Sequence, residues 1–142
     1  ISAKLQHNAA QACIPVGERP GEVILAVLDL TSFGKADRAL VFAGNGIYYK
    51  TNATPSIRPA KAPTKQGYIA YLKLLEKKIM TGQPKEYWQC PADSTVLIGE
   101  TDFIYTAWIS SPVDQIVNLL TRIQRAVSAM RHEYSGDATE QT

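Results

Sequence analysis

The sequence has few of the residues that build metal centres or disulfides. Its 142 residues include two cysteines, Cys13 and Cys90, and two histidines, His7 and His132. A structural zinc site needs four such ligands, usually in closely spaced pairs, so these four isolated residues argue against one. Cys13 and Cys90 could form one disulfide, but nothing in their spacing demands it, and we expect two free thiols. We predict no metal and no cofactor.

The sequence also lacks the motifs of common enzyme classes. Neither of the phosphate-loop patterns G-x-x-x-x-G-K-[ST] and G-x-G-x-x-G occurs. Asp93, Glu100 and Asp102 are most simply interpreted as loop acids, and neither histidine stands beside a serine or cysteine motif. We therefore predict that the protein is not an enzyme.

Long apolar runs are absent as well. No run approaches the roughly 20 apolar residues that cross a bilayer. Residues 1–12 lack the basic region and apolar core of a signal peptide, so we expect a cytoplasmic protein. Hydrophobic residues are 45% of the chain and charged residues 20%, which is typical of a globular protein. We expect a single domain over residues 1–134 and a flexible tail over residues 135–142.

The clearest pattern that is present predicts a β-rich start. Residues 23–30 form an apolar, β-branched run that predicts a largely buried strand, and residues 39–43 and 47–51 predict the two strands of a hairpin. Asn45 and Gly46 stand between these two strands. Asn-Gly is a strong signal for a type I′ turn, because both central residues of that turn need a positive φ.

Alternation along this hairpin predicts one shared face that carries Leu40, Phe42, Ile47 and Tyr49. Before the hairpin, a polar loop contains Asp29, Thr31 and Gly34, which we interpret as structural turn residues rather than as a catalytic loop. Asp and Thr side chains satisfy backbone groups at turns, and glycine permits the angles of a tight corner.

The spacing of apolar residues and the positions of prolines predict most of the other elements. Residues 1–13 have the spacing of a short helix, residues 52–63 are a proline-rich loop or edge, and residues 94–99 and 103–109 predict two strands.

Residues 67–79 fit either a helix or a strand. We predict a helical turn over residues 68–75, followed by strands over residues 78–80 and 86–90 that pair with each other.

The clearest helix comes last. Ser111 is a good N-cap and Pro112 a good first helical residue, and the helix should run to about His132. Its apolar stripe consists of Val113, Ile116, Val117, Leu120, Ile123, Val127 and Met130. A stripe of this length needs a sheet or another apolar surface to cover it.

Three segments carry a resemblance to a known family. Residues 27–34 (VLDLTSFG), 39–42 (ALVF) and 45–50 (NGIYYK) resemble bacterial pleckstrin-homology-like (PH-like) domains. The resemblance implies a mainly β fold with α elements, a bent and partly open antiparallel barrel of about seven strands that a C-terminal helix caps. It implies no enzymatic activity and brings no functional residues with it.

One segment of uneven charge indicates a binding function. The chain has a net charge of +2, yet residues 50–85 contain eight basic residues and one acid, Glu76. The candidate anion-binding residues are Lys61, Lys65, Lys73, Lys77 and Lys78. The competing interpretation is a set of solvated lysines spread over several faces.

These features predict a non-enzymatic, bacterial PH-like interaction module that binds a protein partner, a second copy of itself or an anionic surface such as lipid head groups. A small-ligand-binding barrel, or an enzyme with an unrecognised site, is the alternative, and a deep apolar pocket with a few convergent polar groups would support it. Weak nucleic-acid binding is a further and less favoured alternative.

Overall fold

The computed structural model describes residues 3–14, 23–30, 38–53, 63–86, 90–106 and 113–140, with side chains as far as Arg131 in the last stretch. The chain begins with helix α1 (Ala3–Cys13) and ends with helix α3 (Val113–Glu140). Between them lie the strands β1 (Ile24–Asp29), β2 (Ala39–Ala43), β3 (Gly46–Asn52), β4 (Thr64–Ala70), β5 (Ile79–Thr81), β6 (Thr95–Ile98) and β7 (Asp102–Tyr105). The helical turn α2 (Tyr71–Leu74) connects β4 to β5.

The strands form two antiparallel sheets. Sheet A has the order β1-β2-β3-β4 and sheet B the order β5-β6-β7. The predicted mixed fold of seven strands between a short N-terminal helix and a C-terminal helix is therefore confirmed. Among the described strands no ladder joins sheet A to sheet B, so the two sheets do not close into a barrel. They meet through side chains, as where the Tyr105 N–H donates to Thr51 Oγ1 at 2.8 Å.

The core lies between the two sheets, and α3 covers one side of it. Sheet A contributes Leu40, Phe42, Ile47, Tyr49 and Ile69, sheet B contributes Val96, Ile98 and Ile104, and α3 contributes Ile116 and Leu120. Helix α1 packs Ala9 and Cys13 against the other face of sheet A. Since β2 is covered on both faces, all five of its residues are buried, which explains its unbroken apolar sequence.

The predicted hairpin is present. Leu40 pairs with Tyr49 and Phe42 pairs with Ile47, so the predicted shared face is confirmed. The predicted turn is wrong by one residue, because Gly44 and Asn45 connect the strands and Gly46 already belongs to β3. The type I′ geometry is also absent, since Gly99 is the one described glycine with a positive φ, at 68°.

Gly46 is a glycine for a different reason. It pairs with Ala70 of β4, and a Cβ atom at this position would lie 2.5 Å from the Ile69 carbonyl oxygen and 2.6 Å from Cζ of Tyr68. The close approach of β4, rather than the turn conformation, therefore excludes a side chain here.

The middle of the chain differs most from the sequence prediction. Strand β4 begins in residues for which we predicted no strand and includes the first residues of the predicted helical turn, which itself begins at Tyr71 rather than at residue 68. β4 pairs with β3 along its whole length, and this long-range pairing overrides the local helical spacing. β5 pairs with β6 rather than with the predicted strand over residues 86–90. In that predicted strand, Glu86 and Cys90 are outside any strand, and residues 87–89 lie outside the described residues.

Helix α3 is longer than predicted. It continues to Glu140, into the segment that we predicted as a tail, whereas the predicted capping residues Ser111 and Pro112 lie outside the described residues. None of the described helices is long and apolar enough to cross a membrane.

Candidate functional site

The apolar stripe of α3 is longer than the core that it covers. Ile116 and Leu120 are buried in the core, Ile123 and Val127 are half-buried, and Met130 is 61% exposed. The second half of the helix therefore carries apolar side chains past the point where the two sheets bury them.

A groove of about 870 Å³ opens beneath this half of α3. Its opposite wall is the end of sheet A nearest to the β2–β3 turn, where Leu25, Phe42 and Tyr68 line it. These three residues come from different strands, and they reach one place because Ile24 pairs with Ala43 and Gly46 pairs with Ala70.

Exposed apolar residues concentrate at this groove. Six large hydrophobic residues are exposed in the described part of the chain, and four of them line the groove: Leu25 (62% exposed), Leu72 (60%), Leu119 (38%) and Met130 (61%). Scattered exposed hydrophobic residues are ordinary on a protein surface, but a contiguous concave group of them marks an interaction site.

Leu25 corrects the prediction that the first strand is largely buried. β1 is an edge strand of sheet A, and the register shifts between Ile24 and Ala26, which places a β-bulge at Leu25. Bulges occur where a side chain is re-aimed, and here the bulged residue lines the groove.

Tyr71 fixes the end of the groove. Its backbone N–H donates to the Asn45 carbonyl oxygen at 3.1 Å, and its hydroxyl donates to the Ala43 carbonyl oxygen at 2.6 Å. The predicted turn residue Asn45 thus lines the groove together with Tyr71. Since both bonds hold the β2–β3 turn against α2, this part of the wall is formed before any ligand arrives.

Arg131 is the one charged residue among the described residues that line the groove. It follows Met130 on α3 and lies one helical turn beyond Val127. Its side chain is exposed, so the guanidinium stands at the rim rather than in the apolar interior.

None of the four described lysines of the predicted patch lines the groove. Lys77 Nζ lies 3.7 Å from Asp102 Oδ2, and Lys73 Nζ lies 3.9 Å from Glu76 Oε2. Lys65 Nζ lies 5.8 Å from the centroid of the Phe103 ring, Lys78 is exposed, and Lys61 lies outside the described residues. Acids thus lie within 4.0 Å of two of the four described lysines, and an anion-binding role for these residues stays a prediction.

Asp102 is the centre of the best-defined polar cluster. The Tyr49 hydroxyl donates to Asp102 Oδ1 at 2.5 Å, across 53 positions of sequence, while Lys77 approaches the other carboxylate oxygen. Tyr49 is fully buried and belongs to sheet A, whereas Asp102 belongs to sheet B. The cluster joins the two sheets, and sequence analysis missed it because neither residue stands in a recognisable motif.

The two cysteines are free, buried and far apart in the fold. Cys13 packs between α1 and sheet A, and Cys90 packs with Phe103 and Tyr105. Burial raises the pKa of the Cys90 thiol to about 11, and this thiol donates to the Ala53 carbonyl oxygen at 3.0 Å. A protonated, buried thiol is a poor nucleophile, so Cys90 has the character of a core residue.

The remaining predicted sites add no chemistry. In the described part of the chain, no group of three or more His, Cys, Asp and Glu residues is placed to hold a metal ion. Asp29 is the last residue of β1 and pairs with Ala39, while Thr31 and Gly34 lie outside the described residues.

Comparisons of the chain with protein-family models, with curated proteins and with solved structures found no significant match. The resemblance to bacterial PH-like domains therefore stays a prediction. The groove is the strongest candidate site, and its sequence signal was the length of the apolar stripe on α3, which exceeds what one small core can bury.

Proposed function

We propose that this protein is a non-enzymatic binding module whose site is the apolar groove between sheet A and α3, and that the groove takes the hydrocarbon chain of a small amphiphilic ligand. The observation that carries the proposal is the convergence of Leu25, Leu72, Leu119 and Met130, all exposed, on one concave apolar surface. Binding sites for small ligands are typically concave and mostly apolar, with few polar groups.

The length of the groove suits an extended alkyl chain. Leu119 and Met130 both line it, and they are separated by about 16 Å along the axis of α3. An extended dodecyl chain has about this length.

This proposal changes where the predicted interaction module makes its contact. The sequence favoured the lysines, but Lys73 and Lys77 already face acids within 4.0 Å, and surface charges of this kind add little affinity. Burial of apolar side chains contributes about 25 cal/mol per Å² of area removed from water, so the groove offers the larger source of binding free energy.

The test is the binding of a neutral apolar fluorophore, N-phenyl-1-naphthylamine, to the purified protein and to two groove variants, Leu119→Asp and Met130→Asp. We expect saturable binding, and we expect each variant to weaken it about tenfold or more, because an aspartate would be desolvated beneath the ligand. The matched control is Met80→Asp, since Met80 is 43% exposed on β5 and does not line the groove.

Circular dichroism of each variant establishes that the fold persists. Probe binding that does not saturate would overturn the proposal, as would an equal loss in Met80→Asp and in the groove variants. A partner protein that binds in a Met130-dependent way, while the fluorophore does not bind, would instead identify the groove as a protein-docking site and would also reject the small ligand.

A further inference from the structure

We infer that the ligand of this groove is an anionic amphiphile, a long-chain carboxylate whose head group lies at Arg131. The inference rests on the proposed function and adds the chemistry of the head group. It starts from the charge distribution of the lining, where Arg131 is the single charged residue and no acid is present among the described residues.

The position of Arg131 suits a head group rather than a chain. Met130 and Val127 line the apolar part of the groove, and Arg131 follows them at its rim. A ligand whose chain runs along α3 from Leu119 to Met130 would therefore place its polar end beside the guanidinium. A carboxylate at that place could accept two parallel N–H bonds from the planar guanidinium, which an alcohol or an ammonium group could not do.

Among the residues whose side chains the structure describes, no acid forms an ion pair with the Arg131 guanidinium, in contrast to Lys77, which faces Asp102. Arg131 is exposed, so the head group would remain in contact with water while the hydrocarbon chain is removed from water. The groove thus separates an apolar wall from a cationic end, as an amphiphile of opposite charge requires.

The concave shape favours a single dissolved molecule over a bilayer surface as the source of this chemistry. Surfaces that dock on membranes present an apolar face that enters the head-group region. Here the exposed side chains of Leu25, Leu72, Leu119 and Met130 instead line a concave groove. We therefore assign the site to a free long-chain carboxylate.

The test compares three probes that share a dodecyl chain: dodecanoate, dodecanol and dodecyltrimethylammonium. The two ionic probes are titrated below their micelle concentrations and dodecanol below its solubility limit, at pH 8 and low salt, by displacement of the neutral fluorophore. The protein variants are Arg131→Glu and Arg125→Glu. The second is the matched control, because Arg125 is an exposed arginine of the same helix, undergoes the same change in charge and does not line the groove.

We expect the unaltered protein to bind dodecanoate more tightly than dodecyltrimethylammonium. Arg131→Glu should weaken dodecanoate binding about fivefold or more, strengthen binding of the ammonium probe and leave dodecanol within about twofold, since an exposed ion pair contributes modestly. Arg125→Glu should leave all three affinities within about twofold. The preference for dodecanoate should also decline as salt is added.

The outcomes separate this inference from the proposed function. If neither the fluorophore nor dodecanol binds, the groove is not an apolar ligand site and both fail. If both bind but Arg131→Glu leaves the dodecanoate affinity unchanged, the head-group assignment alone is overturned. Vesicles that contain anionic lipid provide the last arm, because Arg131-dependent binding to these vesicles without dodecanoate binding would reject the free ligand as the source.

Discussion

Gly46 shows how strongly a single position can depend on the strand beside it. A Cβ atom at this position would lie 2.5 Å from the carbonyl oxygen of Ile69, and that oxygen belongs to the β4 backbone, which a side-chain rotation cannot move. The residue lies next to the turn that lines the groove, so its effect on stability and its effect on the site are linked.

We expect Gly46→Ala to lower the free energy of unfolding by about 2 kcal/mol or more, because β3 and β4 must separate to admit the methyl group. Gly44→Ala is the control, since nothing lies within 4 Å of the Cβ position there, and its effect should stay within about 0.5 kcal/mol. Urea unfolding of both variants measures the difference. Equal stability of the two variants would contradict the close approach of β4 to β3.

The same residues show what sequence reasoning reaches at this scale. Asn45 and Gly46 correctly indicated a hairpin, and alternation correctly placed Leu40 and Tyr49 on one shared face. The predicted reason for a glycine at position 46 was wrong. The steric constraint on this position comes from Ile69 and Tyr68 of β4, which lie more than 20 positions away in sequence. A local motif can predict a turn, but it contains no information about a steric contact of this kind.

At the scale of elements, Gln124 ties α3 to the end of α2. Its amide Nε2 donates to the carbonyl oxygens of Leu74 and Lys77, both at 2.8 Å. The Leu74 oxygen also accepts from the Lys77 N–H at 3.1 Å, and Gln124 adds a side-chain hydrogen bond to each of the two carbonyl oxygens.

Replacing Gln124 by Met keeps the length of the side chain and removes both donors. We expect the free energy of unfolding to fall by about 1–3 kcal/mol, since two hydrogen bonds are lost, although the Leu74 oxygen still accepts from the Lys77 N–H. Arg125→Met is the control because it changes an exposed neighbour on the same helix, and its effect should remain within about 0.5 kcal/mol. Urea unfolding monitored by circular dichroism decides between the two, and equal losses would refute a specific role for the amide.

Predictability differed between elements for physical reasons. The strands β1, β2, β3, β6 and β7 and the helices α1 and α3 have strong apolar periodicity, and the sequence predicted all of them. β4 begins Thr64-Lys65-Gln66-Gly67, which has no apolar alternation, and it becomes a strand because β3 offers it a full ladder of partners. Tyr71 and Leu74 do form a helical turn, so the periodicity there was real but covered fewer residues than predicted.

At the scale of the whole molecule, the candidate site lay beyond what the sequence could predict. The groove requires the β-bulge at Leu25, the β2–β3 turn and the far half of α3 to meet, and each is set by tertiary packing. The lysine-rich segment was easier to identify than the groove, because the charge of a segment follows directly from its sequence. Its Lys77, however, faces Asp102 of β7, a partner that only the folded chain provides.

The Asp102 carboxylate also accepts a hydrogen bond that joins the two sheets. Among the described strands no ladder joins them, so their union depends on apolar packing and on side-chain bonds such as the one from the Tyr49 hydroxyl to Asp102 Oδ1, at 2.5 Å. A hydrogen bond to a carboxylate contributes more than one between neutral groups, about 1.5–3 kcal/mol. Lys77, at 3.7 Å and partly exposed, should contribute much less.

A double-mutant cycle with Tyr49→Phe and Asp102→Ala tests this division. We expect each single change to lower the free energy of unfolding, and we expect a coupling energy of about 1–3 kcal/mol between the two sites because they share one charged hydrogen bond. Lys77→Met should lower the free energy of unfolding by less than about 1 kcal/mol and should show little coupling to Tyr49, since the lysine contacts the other oxygen of the carboxylate.

Unfolding followed by circular dichroism and by tyrosine fluorescence should give coincident transitions, because one core spans both sheets. Separate transitions for the two probes, or additive effects at residues 49 and 102, would mean that the sheets unfold independently and that this bond does not unite them.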